Sequence, residues 1–181
     1  MSEIDDKCLD TFPQWLKGLP TDATDLAEAV EDGEAPEAVR RYAAAGLNYL
    51  FKSLDLIPDG IEDLGFLDDA FVIRVAAKLA VEEASDAEAK APRVARLGAG
   101  AALIEELLGD DDYPRLVSYV KNLKNGAARG RTVDDILGDE AVRREFTNEV
   151  RGWATSYEAP SFGRDEKNLV KLKSFMSAKL P

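Results

Sequence analysis

Ser53-Leu54-Asp55-Leu56-Ile57-Pro58-Asp59-Gly60-Ile61-Glu62-Asp63-Leu64-Gly65-Phe66-Leu67-Asp68-Asp69 is the stretch that decides how this chain folds. Carboxylates are set densely among large apolar side chains, and the proline and glycines punctuate it as a structured turn. Pro58 forces Ile57 out of the helical region. Gly60 and Gly65 open backbone shapes closed to other residues. Leu56, Ile57, Ile61, Leu64, Phe66 and Leu67 are costly to leave in water, so the turn is expected to fold back onto the elements on either side.

Those elements read as helices. Before the turn, Pro36 suits a first helical turn, and Val39, Ala43, Leu47, Leu50 and Leu54 recur at three- and four-residue steps on one face. After it, Asp68 or Asp69 is the expected N-cap of a helix with Val72, Val75, Ala76 and Leu79 as its buried stripe. Arg74, Lys78 and Glu82 fall on the opposite side and make that helix amphipathic.

The same periodicity runs through the rest of the chain. Residues 8–17 suggest a short helix carrying Leu9, Phe12 and Leu16, and a second is expected from a cap at Asp22 or Thr24 to Val30. Pro92 opens a helix with Val94, Leu97, Ala101, Ile104 and Leu108 on one side, ended by Gly109. Asp110-Asp111-Asp112 ahead of Tyr113-Pro114 places negative charge at the positive end of a further helix, which runs to Gly126. Thr132 to Asp135 resembles a capping box with Asp in place of Glu. Asp139 is the expected cap of a long helix bearing Val142, Phe146, Val150, Trp153 and Tyr157, and Leu169, Leu172 and Met176 mark the last one. Strand signals are nearly absent. The expected fold is all-α: a compact bundle of seven or eight helices around a helix–turn–helix hairpin. Residues 1–181 read as one helical domain, with the hairpin at 36–84 and residues 113–181 as a C-terminal helical extension or subdomain.

The segment Tyr49 to Asp69 resembles the signature of the YkvA-like family, a small bacterial and archaeal domain of unknown function. Tyr49, Ser53, Asp55, Leu56, Ile57, Pro58, Asp59, Ile61, Leu64, Gly65, Leu67, Asp68 and Asp69 carry the resemblance. Leu54 and Glu62 stand where that signature often has proline, which implies a less rigid turn. The resemblance implies a fold for residues 36–84 and brings no activity with it.

Composition narrows the chemistry. Among 181 residues there is no histidine, so Ser-His-Asp and Cys-His catalysis, histidine-ligated zinc and histidine pH switching are excluded. The single cysteine, Cys8, rules out an intramolecular disulfide and fits a reducing compartment. The N-terminus is acidic and has no apolar core of a secretory signal, so a cytoplasmic location is expected. The charge-free stretch from Tyr42 to Phe51 is only ten residues, against about 20 for a membrane helix.

Net charge is −12, and it is uneven. Residues 1–112 hold 10 Lys and Arg against 26 Asp and Glu, and residues 113–181 hold 13 against 9. Nucleic acid and anionic lipid are disfavoured partners. The two parts either attract each other within one fold, or the basic part meets an acidic protein.

Four candidate features remain. Asp55, Asp59, Asp68 and Asp69 are candidate ligands for a hard cation such as Mg²⁺ or Ca²⁺, since oxygen ligation suits a chain without histidine. The same aspartates also suit helix capping, turn hydrogen bonds or, as paired carboxylates, acid–base work. Gly98-Ala99-Gly100-Ala101-Ala102 lacks the Lys-Ser/Thr of a phosphate loop and reads as small residues allowing close helix approach. Lys121, Lys124, Arg129 and Arg131 with Tyr119 form a compact basic patch, either an anion site or a solvated face. Trp15, Trp153 and Tyr157 are core or interface aromatics. The leading functional expectation is a non-catalytic interaction or scaffold module. A metal-binding protein or metal-dependent enzyme using the aspartates comes second, and peripheral membrane association third.

Overall fold

The computed structural model describes residues 1–52, 55–58, 60–61 and 64–181. The all-α expectation holds. Among the described residues the sole sheet is a two-residue hairpin, Ala127–Ala128 against Arg131–Thr132.

Helix α1, Glu3–Glu31, is the longest element. Ser2 caps it: its hydroxyl accepts from the Asp5 amide while the Asp5 carboxylate accepts from the Ser2 amide. The two short helices expected here are one helix, with Pro13 and Pro20 inside it. An interior proline costs about 3 kcal/mol. That cost is offset by ten buried residues from Cys8 to Val30, built on the three- and four-residue steps Leu9, Phe12, Leu16, Leu19, Ala23, Leu26 and Val30.

The hairpin lies against this long helix. It consists of α2, Glu37–Tyr49, the acidic turn, and α3, Leu67–Glu83. Pro36 stands just ahead of α2 as its N-cap residue. The expectation of a one-sided α3 is corrected: every residue from Leu67 to Ala77 is buried, Arg74 included. This helix is the centre of the molecule, covered by α1, α2, α5 and α6.

Helices α4, Ala87–Lys90, and α5, Pro92–Gly98, follow. The helix expected to run from Pro92 to Leu108 breaks after Gly98, where α5 lies directly on the backbone of α3. A Cβ on Gly98 would meet the Lys78 amide nitrogen at 2.8 Å. The small-residue reading of this segment is thereby accounted for. Helix α6, Ala101–Asn122, is interrupted at Gly109, whose φ of 75° only glycine adopts easily.

A 3₁₀ turn, Leu123–Asn125, and the hairpin lead into α7, Val133–Gly138. The capping box between Thr132 and Asp135 forms as read. Asp139 caps α8, Glu140–Ser156, through the amides of Ala141 and Val142. Helix α8 packs along α1, and α9, Glu166–Lys179, closes the fold against α1 and α6. Among the described residues no helix is long and apolar enough to cross a membrane.

Candidate metal centre in the acidic turn

The turn is anchored by Tyr49, the last residue of α2. Its ring is fully buried. Its hydroxyl donates to Asp68 Oδ2 at 2.6 Å and accepts from the Leu56 amide at 2.7 Å. Asp68 Oδ2 accepts a second bond from the Ile57 amide at 3.2 Å. One phenol and one carboxylate thus tie the end of α2, the start of the turn and the first turn of α3 together. Burial, and then the neighbouring Asp68 charge, push the Tyr49 phenol well above its ordinary range. It stays a donor at any physiological pH.

This geometry corrects the capping expectation. The residue at the N-cap of α3 is Phe66, in the left-handed region at φ 68°, and it makes no side-chain cap bond. Asp68 and Asp69 lie one step further in, within the first helical turn, where the free amide ends and the helix dipole favour carboxylates. Phe66 itself turns outward onto the end of α8, its ring 6.2 Å from Trp153 and 5.2 Å from Tyr157.

Three of the four aspartates singled out in the sequence come together. Asp55, Asp68 and Asp69 each place a carboxylate oxygen within 4.8 Å of the others. Asp68 and Asp69 are 0% and 2% exposed, and Asp55 lies at the edge of the cluster. Asp59 falls outside the described residues. Tyr119 of α6 completes the surroundings. Its ring meets that of Tyr49 edge-on at 6.2 Å. Its hydroxyl is pushed up to about 12 by burial and then by the charges of Asp68, Asp55 and Asp69. Lys52 stands 5.4 Å over its ring.

Residues 39–74 match a family model. Its description is a protein of unknown function, DUF1232. The match runs from the first turns of α2 through the acidic turn to Arg74 of α3, and the YkvA-like signature lies within it. No curated protein and no solved structure matches the chain.

The DUF1232 segment therefore contains all three clustered aspartates and the tyrosine that orients one of them. The donor set is oxygen only, which suits a hard divalent cation. Cys8 is no alternative ligand: it is buried in α1, and burial, with Asp5 and Glu106, pushes its thiol up to about 12.

The basic patch does not hold together as an anion site. Arg131 lies 2.5 Å from Glu149, Arg129 lies 3.4 Å from the same carboxylate, and Lys124 pairs with Glu83 at 3.7 Å. Lys121 is exposed at the rim. Tyr119, read with that patch in the sequence, belongs to the aspartate cluster instead. Sequence reading assigned no role to Tyr49 beyond its place in the signature.

Proposed function

We propose that this protein is a non-catalytic helical interaction module whose acidic turn is closed by a hard divalent cation, Mg²⁺ or Ca²⁺, at Asp55, Asp68 and Asp69. The observation that carries the reading is the convergence of three carboxylates within 4.8 Å, two of them buried. Like charges so close repel strongly in a desolvated site, and a divalent cation removes that repulsion. The same burial argues for a structural ion: a catalytic metal keeps positions open for substrate, and Asp68 and Asp69 offer almost no surface to solvent. The cation ties the turn to α3, so the module presents one fixed shape to a protein partner.

Calorimetry of chelator-stripped protein against Mg²⁺, Ca²⁺ and Mn²⁺, with thermal melts alongside, tests this. Saturable one-site binding is expected, with stabilisation of about 2.7 kcal/mol at a hundred times Kd. Asp55→Asn is expected to abolish both effects, yet its metal-free form is expected to melt no lower than metal-free wild type, because one repelling charge is gone. Absence of heat and of any melting shift with all three ions would rule the cation out. The aspartates would then serve only the turn.

A further inference from the structure

On the far side of α3 from the turn, α1, α3 and α5 enclose a cleft of about 240 Å³. Its floor is Arg74, 5% exposed and immobilised on three sides. Its guanidinium donates to the Ala70 carbonyl at 3.1 Å and to Asp22 at 3.1 Å, and its central carbon sits 4.1 Å above the Trp15 ring. The Nε–H is left with no acceptor among the described residues. Gly100 packs beside it: a Cβ there would lie 3.1 Å from Arg74 Nε and 3.3 Å from the Trp15 ring edge.

The charged groups that line the cleft itself are two aspartates, Asp22 and Asp25, and three arginines, Arg74, Arg93 and Arg96. Asp22 is matched by Arg74 and Asp25 by Arg93, which also reaches Glu28. Arg96 lines the same cleft and makes no ion pair among the described residues. Between the buried and the rim arginine, Trp15, Leu26, Val94 and Leu97 supply an apolar wall.

We propose that this cleft binds a small carboxylate with a compact apolar body, an aromatic or branched aliphatic acid. Its oxygens take the Arg74 Nε–H and the Arg96 guanidinium, and its body lies against Trp15 and Leu97. The volume is below the roughly 300–1,000 Å³ of drug-sized sites, so the ligand is small. A fixed arginine recognises a planar carboxylate at little ordering cost. The site is separate from the aspartate cluster, and its fate is independent of metal binding there.

The probe is benzoate, titrated into the full chain in the presence of chelator and followed by tryptophan fluorescence and calorimetry. Benzamide, 3-methylbutanoate and inorganic phosphate serve as comparisons. Saturable benzoate binding is expected, with a signal that persists in Trp153→Phe and is lost in Trp15→Phe. Loss of one charge-assisted contact in Arg96→Gln is expected to weaken binding about tenfold or more, with Arg96→Lys recovering part of it and the melting temperature unchanged in both. Arg96 is exposed, so neither substitution disturbs the core. The proposal is overturned if neither carboxylate saturates, if benzamide or phosphate binds as well as benzoate, or if Arg96→Gln binds like wild type.

Discussion

Removing one oxygen from Tyr49 is expected to be among the most damaging conservative changes this protein can undergo. Tyr49→Phe keeps the ring, its volume and its edge-on contact with Tyr119. It deletes the atom that donates to Asp68 and accepts from the Leu56 amide. Both partners then stay buried with fewer bonds. A hydrogen bond to a charged group contributes about 1.5–3 kcal/mol, and a buried amide without an acceptor costs about 1–3 kcal/mol. Allowing for partial relaxation of the turn, the loss is about 3 kcal/mol, which for a chain of this size lowers the melting temperature by about 6–12 °C. The assay is a urea or thermal melt in chelator, read by far-ultraviolet circular dichroism. A double-mutant cycle with Asp68→Asn isolates the pair: a coupling above about 1 kcal/mol is expected for groups in direct contact. Tyr49→Phe melting within about 2 °C of wild type would refute the claim that this phenol holds the turn.

Two further outcomes follow from the packing and the phenols. Gly98→Ala is expected to destabilise by about 1–3 kcal/mol, because the new methyl meets the α3 backbone at 2.8 Å. Gly152→Ala, where a Cβ meets nothing within 4 Å, should instead stabilise by about 0.5–1 kcal/mol, and chemical denaturation of the pair checks the contrast. Tyr42, Tyr49 and Tyr119 are all shifted upward, so each contributes stability that is full below about pH 10 and is lost as pH rises towards its folded value. Phenolate absorbance at 295 nm should show these three ionising only with unfolding, and a protein whose five tyrosines all titrate near pH 10 while still folded would contradict it.

What the sequence reveals here is what depends on near neighbours in the chain. The caps at Thr132 and Asp139 were legible because each bond spans two or three residues. The acidic turn was legible because its carboxylates, proline and glycines are contiguous. The unity of α1 was not, since Pro13 and Pro20 are local breakers and only the packed stripe from Cys8 to Val30 overrides them. Nor was the burial of α3 all round. Arg74 reads as a solvent-facing charge until Asp22, 52 residues away, and Trp15 are brought against it. The site divides in the same way. The density of aspartates marks the turn, whereas the bond from Tyr49 to Asp68 and the approach of Tyr119 arise only when α2, α3 and α6 pack. A helix-period reading places side chains on faces without saying which face meets which.

The division of charge along the chain finds its physical meaning in the same packing. Arg151 meets Glu31 at 2.6 Å, Arg164 meets Asp6 and Asp10 at 3.1 Å, and Lys124 meets Glu83 at 3.7 Å, each pair joining the basic third of the chain to the acidic part. Arg41 and Asp134 join the two parts with the signs reversed. These pairs are partly or largely exposed, and such contacts contribute little to stability singly. Burial holds α8 in the fold: Phe146, with its ring against Phe51, and Val150 are fully covered, and the Tyr157 hydroxyl donates to the Leu16 carbonyl of α1. The opposite charges are better understood as selecting orientation. A helix with the apolar stripe of α8 could lie on α1 in either direction, and only one direction brings Arg151 to Glu31 at the end of α1 while Arg164 reaches Asp6 and Asp10 at its start. Apolar area supplies the attraction, and the uneven charge chooses among the arrangements that area alone would allow.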